Sequence, residues 1–201
     1  MIDLGCGDGT SARLLTDAGH EVLGIDSSPA LIALARRTAP AAAFRVGSFV
    51  DVELPPGRDA VLAAGEVLGY ALDERNDAAR LDALLARIAA ALRPGGLLLF
   101  DLPGPGRVPP GGGRTWTAGD GWAVLAESRP RPGALERRIV TFRAGRDGRC
   151  RRSEELHRLV LHRPEDVLAR LAGAGLRARI LERGYAGAPL PPGVTAFLAR
   201  R

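Results

Sequence analysis

Three carboxylate-bearing stretches stand where side chains could do chemistry. The first is Asp3-Leu4-Gly5-Cys6-Gly7-Asp8-Gly9, an acid followed by glycines at every second position. Glycines so spaced allow a turn whose N–H groups approach a ligand, because they adopt positive φ and carry no Cβ. The second is Asp26, at the end of the apolar run Val22 to Ile25 and about 20 residues past the glycines. An acid at that distance, at the carboxyl end of a second strand, is placed to hold ribose hydroxyls. The third is Glu155-Leu156-His157 in a segment that reads as a strand. With a side-chain period of two, the acid and the imidazole share a face and can act as an orienter and base pair.

Each stretch needs an element to hold it. Met1 to Asp3 read as a strand running into the glycine turn, and Ser11 to Ala18 as a helix ended by Gly19. The helix Pro29 to Thr38 starts from Ser28 as cap with Pro29 at its first position and is stopped by Pro40. Its pattern buries Leu31, Ile32, Leu34 and Ala35. Short strands are expected at Ala43 to Gly47, toward a sheet edge, and at Asp59 to Ala64. A long helix from about Asp77 to Arg93 carries Leu81, Leu84, Leu85, Ile88 and Leu92 at spacings of three and four. Pro94, Gly95 and Gly96 end it before a fifth strand, Leu97 to Leu102. Strand and helix alternating in this way predict a doubly wound, mostly parallel sheet with helices on both faces.

The pattern then changes. Residues 103–114 hold 5 Gly and 4 Pro in 12 positions and read as a loop or lid. Three extended stretches follow, Trp122 to Arg129, Leu135 to Arg143 and Arg151 to His162, separated by turn residues and therefore expected to form an antiparallel insertion. A helix from Pro164 and strands at Leu176 to Glu182 and Val194 to Ala199 complete the chain. The division expected is a cofactor-binding half over 1–102, the loop and β insertion over 103–162, and a helix with two strands over 163–201, all in one domain.

The glycine spacing is not the GxGxxG of dinucleotide folds, since Thr10 stands where the third small residue would be. Asp-x-Gly-x-Gly-x-Gly, with the later Asp26 and the phrase RPGGLLLFD, instead resembles class I S-adenosylmethionine (SAM) dependent methyltransferases of the small-molecule type. The resemblance implies a seven-stranded Rossmann-like sheet of order 3-2-1-4-5-7-6 and SAM as cofactor. It places Asp3, Gly5, Cys6 and Gly7 against the methionine part of the cofactor and Asp26 with Ser27 at the ribose. Ser48, at a position where many members carry Asp, and Phe49 fall at the adenine. Gly65, Glu66 and Tyr70 follow the fourth strand, whose end lies beside the methyl group, so Gly65 is expected at the cofactor and Glu66 and Tyr70 on the substrate side. His157 joins them because some bacterial members carry a similar E-x-H segment.

No N/D-P-P-Y/F motif, Pro-Cys nucleophile or pair of acids for a catechol-type magnesium site occurs, which lowers each of those substrate classes. The expected reaction is methyl transfer to an oxygen or nitrogen of a small molecule. A non-catalytic SAM-binding module and an aminopropyltransferase-like enzyme are the alternatives. Cys6 and Cys150 fit neither a metal pattern nor a disulfide framework.

All 28 basic residues are arginine and the net charge is +5, a bias that speaks for genome composition more than for nucleic acid. Residues 1–128 hold 11 Arg and 16 acids, whereas residues 129–201 hold 17 Arg and 7 acids. The basic second part could favour an anionic acceptor. No apolar run approaches the ~20 residues of a membrane span, so a cytoplasmic protein, monomer or homodimer, with neither nucleic acid nor membrane as partner is expected. The first strand has only three residues before its turn, and family members usually carry helices upstream. A truncated or misassigned start is the favoured expectation, with weak cofactor affinity as its consequence.

Overall fold

The fold is taken from a computed structural model, which describes residues 1–71, 78–185 and 187–201. Seven strands make the main sheet: β1 (Ile2–Leu4), β2 (Leu23–Asp26), β3 (Ala43–Val46), β4 (Arg58–Ala63), β5 (Leu92–Pro103), β10 (Arg177–Ile180) and β11 (Val194–Arg200). Their order is β10-β11-β5-β4-β1-β2-β3, the order expected from the resemblance. Every neighbour pair from β3 to β5 is parallel, and β11 runs antiparallel between β5 and β10. Ile2 and Leu4 on β1 are fully buried, as a central strand covered on both faces requires.

Helices α1 (Thr10–Asp17), α2 (Pro29–Thr38), α3 (Ala78–Ala91) and α4 (Pro164–Gly173) complete the main body. The Ser28 side chain accepts a hydrogen bond from the Leu31 N–H at 3.3 Å and so caps α2. Leu81, Leu84, Leu85, Ile88 and Leu92 are all buried in the core with Ile2, Leu98, Phe100 and Phe197. Phe100 of β5 stacks on its ladder partner Phe197 of β11, ring centroids 5.1 Å apart.

Four expectations need correction. On α2 only Ile32 and Ala35 are buried, while Leu31 and Leu34 are 38% and 37% exposed. The long helix ends at Ala91, and strand pairing begins at once: the β4–β5 ladder passes from Arg58↔Leu92 to Ala60↔Leu97, so Arg93 to Gly96 bulge out of it. Asp77, where that helix was expected to begin, lies outside the described residues. The insertion has four strands, not three. A strand β6 (Gly113–Gly119) precedes β7 (Trp122–Arg131), β8 (Ala134–Ala144) and β9 (Cys150–Val160), in the order β6-β7-β8-β9, all antiparallel. Gly113 and Arg114 therefore lie in a strand rather than in the loop, because a partner ladder supplies what local propensity lacks. The fourth of these strands stops at Val160, two residues short of His162.

This second sheet docks by one face. Leu135 and Leu159 are fully buried against the main body, Tyr70 pairs with Leu159, and the Ala71 N–H donates to Arg158 O at 2.8 Å. The other face carries Trp116, Leu125 and Leu156 in the open, with 77%, 45% and 65% exposure.

Candidate functional site

A cavity of about 1000 Å³ opens at the carboxyl edge of the main sheet, at the upper end of the range for ligand sites. Its wall follows the strand order β3-β2-β1-β4. Ser48 and Phe49 come from the turn after β3, Asp26 and Ser27 from the tip of β2, Gly5 from the turn after β1, and Val67 and Tyr70 from the turn after β4. Glu155 and His157 of β9 complete it. Leu31 also faces this space, which explains its exposure on a helix whose pattern called for burial.

The glycine turn is fixed by its neighbours. The Gly5 and Cys6 N–H groups both donate to Ile25 O, at 2.7 and 3.1 Å. A Cβ at Gly5 would collide with the Val67 side chain, whereas one at Gly7 would meet nothing within 4 Å. Both have positive φ, +69° and +54°. Gly7 is thus an open cradle and Gly5 a packing position. The Asp26 carboxylate accepts the Gly7 N–H at 3.0 Å through Oδ2 and the Ser28 N–H at 2.9 Å through Oδ1, which ties the tip of β2 to both turns. The Ser48 Oγ accepts the Val50 N–H at 3.2 Å, and the Arg87 guanidinium of α3 donates to Phe49 O and Val50 O at 2.7 and 2.8 Å. Arg87 was not anticipated from sequence, because it reaches this turn from a helix some forty positions away.

Asp3, Cys6, Gly7, Gly65 and Glu66 do not line the cavity. Asp3 is 3% exposed, and its Oδ2 is buried without a hydrogen-bond partner. Burial first, and the nearby charge of Asp26 second, push its pKa up to about 7. Burial likewise raises the Cys6 thiol to about 12, so this side chain is inert and its part in the turn is that of its backbone. Gly65 and Glu66 donate their N–H groups to Asp101, at 2.8 and 2.5 Å. Asp101 also accepts the Tyr185 hydroxyl at 2.6 Å, which ties the loop between β10 and β11 to β5. The Glu66 carboxylate is bound by two arginines, Arg107 at 2.5 Å and Arg137 at 3.4 Å. Both of its oxygens are engaged by guanidinium groups and the side chain lies outside the cavity lining, so Glu66 does not face an acceptor there.

On the second sheet Glu155 and His157 share a face as their spacing requires. His157 Nε2 lies 2.9 Å from Glu155 Oε2. The imidazole Nδ1 is buried without a partner, so the proton of the neutral ring belongs on Nε2, where it has an acceptor. The Tyr70 ring meets the imidazole edge-on, centroids 5.4 Å apart at 71°. Burial raises the Tyr70 pKa, against the opposing pull of Arg137.

This frame fits SAM by observation. The unpartnered buried oxygen of Asp3 suits an ammonium, the Asp26 carboxylate lines the cavity at the tip of β2, and a Cβ at Gly7 would meet nothing within 4 Å. Known proteins agree. Residues 1–96 match the family model of a methyltransferase domain. Over 201 residues the chain is 30% identical to the dTDP-3-amino-3,6-dideoxy-alpha-D-glucopyranose N,N-dimethyltransferase of Streptomyces fradiae, covering 96% of this chain and 76% of the relative. The chain belongs to the class I SAM-dependent methyltransferases. The trans-aconitate 2-methyltransferase of Methylobacterium nodulans is 36% identical over 105 residues, 51% of this methyltransferase but 38% of the relative. Among solved structures, SAM-bound CalS10 of Micromonospora echinaspora, an amino pentose methyltransferase, superposes with a TM-score of 0.77 at 25% identity, over 100% of this chain and 82% of that one. S-adenosylmethionine is the cofactor. Among the described residues no group of three or more His, Cys, Asp or Glu could hold a metal ion, and no helix is long and apolar enough to cross a membrane.

Proposed function

We propose that this methyltransferase carries a methyl group from SAM to the nitrogen of an amino sugar. The observation that carries the reading is the single cavity wall that runs from Ser48 and Asp26 through Gly5 to Tyr70, Glu155 and His157. When bound, the cofactor supplies an electrophilic methyl on a sulfonium. Asp3 would meet its ammonium, and Gly5, Gly7, Asp26, Ser27, Ser48 and Phe49 would hold the rest, leaving the Tyr70, Glu155 and His157 side of the wall for the acceptor. Holding both reactants in line contributes several kcal/mol by itself.

An amine at neutral pH carries a proton that must leave before or during attack. The Glu155–His157 pair receives it. His157 Nε2–H holds Glu155 Oε2 and leaves Oε1 without a protein partner among the described residues, so the carboxylate is the outward atom and the imidazole its orienter. Tyr70 backs the imidazole and closes the wall to water. The amino-sugar substrates of the S. fradiae relative and of CalS10 support the choice of nitrogen. A second reading, transfer to a carboxylate oxygen, is favoured by the trans-aconitate enzyme. It needs no base, because that acceptor is already ionised.

Radiolabelled methyl transfer to a panel of dTDP-amino sugars and tricarboxylates decides between them. Product with an amine, and a rate that rises with pH, supports nitrogen transfer. Product only with tricarboxylates, at a rate flat above pH 6, overturns it. We also propose that the chain acts in the cytoplasm, as a monomer or homodimer.

A further inference from the structure

We infer that Arg137 and Arg107 form a seat for an oxyanion of the acceptor, a phosphoryl or carboxylate group, beside the methyl-transfer cavity. The inference rests on the proposed function for where the acceptor lies.

Three elements distant in sequence meet here: the turn after β4 with Glu66, the loop after β5 with Arg107, and β8 with Arg137. Their side chains are 10%, 20% and 14% exposed. Two cations thus share one carboxylate away from water. Asp101, the buried carboxylate next to the same turn, is occupied by the Gly65 and Glu66 N–H groups and the Tyr185 hydroxyl. Burying a guanidinium is tolerable when its donors are well matched.

Arg107 meets that condition in part, with Nε 2.5 Å from Oε1 and Nη2 3.3 Å from Oε2 of Glu66. Arg137 does not. Both of its terminal nitrogens reach Glu66 Oε2 only at 3.4 Å. The next residue, Arg138, points to the opposite, exposed face and is bound by Glu154 at 2.5 and 3.0 Å. The exposed arginine thus has a short, two-pronged carboxylate partner, whereas the buried one holds Glu66 at longer range and turns to the Tyr70 hydroxyl, on the cavity wall.

Position supplies the ligand. Arg137 stands directly opposite His157 in the β8–β9 ladder, so both side chains leave the same face a few ångströms apart. Arg137 also interacts with the Tyr70 hydroxyl, and Tyr70 and His157 both line the cavity. An acceptor whose nucleophile reaches Glu155 and His157 can extend its anionic group one side chain further, to the guanidinium of Arg137, whose contacts to Glu66 are long enough to be exchanged. Glu66 keeps those cations in place. It is the one non-glycine residue with positive φ among those described, at +61°, a strained conformation of the kind concentrated at binding sites.

The test is calorimetric titration of the full chain, saturated with S-adenosylhomocysteine, with pyrophosphate and dTDP in one arm and tricarballylate in the other. One arm is expected to bind, and which one does identifies the oxyanion as phosphoryl or carboxylate. R137Q should weaken that binding about tenfold or more. R137K should restore only part, since an ammonium lacks the fork. R138Q, on the opposite face, should leave it unchanged, and E66Q, which removes the internal competitor, should tighten it. Absence of binding in both arms at millimolar probe, with S-adenosylhomocysteine bound, overturns the inference, and so does an R137Q affinity within twofold of the parent. Labelled methyl transfer that pyrophosphate and tricarballylate fail to inhibit sinks the oxyanion seat and leaves the transfer reading standing. Oxyanion binding without transfer to any acceptor does the opposite.

Discussion

In the main sheet the groups around the cavity belong to the chain where it leaves a strand: the turn after β1, the tip of β2, the turn after β3. They act through backbone N–H groups, short side chains and missing Cβ atoms. In the second sheet they are side chains in mid-strand, Glu155 and His157, with Arg137 opposite His157 in the ladder that sets their register. The first arrangement is suited to one constant ligand, because turn geometry leaves little freedom. The second can be rewritten by exchanging side chains on a face without disturbing the backbone beneath. On the proposed function, cofactor recognition falls to the parallel half and acceptor choice to the antiparallel sheet.

The largest expected effect lies in the parallel half. Gly5→Ala forces a Cβ into Val67 at positive φ, so loss of both stability and S-adenosylhomocysteine binding is expected in melting and titration experiments. Gly7→Ala has open space and bears only the conformational cost of about 1–2 kcal/mol; because the Gly7 N–H holds Asp26, which lines the cavity, ligand binding should weaken with a modest drop in Tm. If the two variants behave alike, the division of labour between them is wrong.

Next comes His157→Ala. Turnover should fall by at least tenfold, because the Glu155 carboxylate loses the imidazole that orients it and base catalysis is worth roughly 10²–10⁴, while cofactor affinity stays as it was. A fall of less than threefold would take the second sheet out of the chemistry.

Asp3 gives a pH signature. Its pKa in the folded chain is about 7 against an ordinary 3.8, owing to burial and then to Asp26. The unfolded chain releases this proton first, so this residue's contribution to stability declines as pH rises from about 4 to 7. Asp3→Asn should therefore raise Tm at pH 8 by several degrees and at pH 5 by less. It should also weaken cofactor binding, and that of the parent chain should tighten through pH 7 as the carboxylate ionises. Equal Tm changes at the two pH values would contradict this.

A smaller effect is expected for Tyr185→Phe, which removes one donor to Asp101, about 1 kcal/mol by urea melting. The smallest belongs to Glu154→Gln on the exposed face of the second sheet. Arg138 and Arg152 hold the Glu154 carboxylate low, at about 2, but in full contact with water such pairs count for little. A Tm indistinguishable from the parent is expected.

These differences follow the line between what could and could not be read from the amino acids. The glycine turn after β1, the acid at the tip of β2 and the cap at Ser28 were legible because each shows in the sequence as a motif of a few adjacent residues. The Glu155–His157 pair was legible because a strand period of two is local. Strand β6 was missed, since Gly113 and Arg114 have little strand propensity and are extended only by pairing with Ser128 and Glu127. The Arg107–Glu66–Arg137 cluster and the Asp101–Tyr185 bond were missed for the same reason at longer range: they join residues 41, 71 and 84 positions apart. Composition gave one faint signal, the excess of arginine after residue 128. Leu31 was misread because a helix that lines a cavity has two apolar faces to serve, and periodicity identifies only one.

The position of β11 has a kinetic corollary. β10 is written earlier in the chain yet its sole partner in the sheet is β11, so the two must form a hairpin that docks as a unit onto β5. On the ribosome, β5 emerges with one flank bare and stays so until residues 104–193 have followed. Through that interval its unpaired edge, carrying Leu98, Phe100 and Leu102, is a natural client for a holdase chaperone.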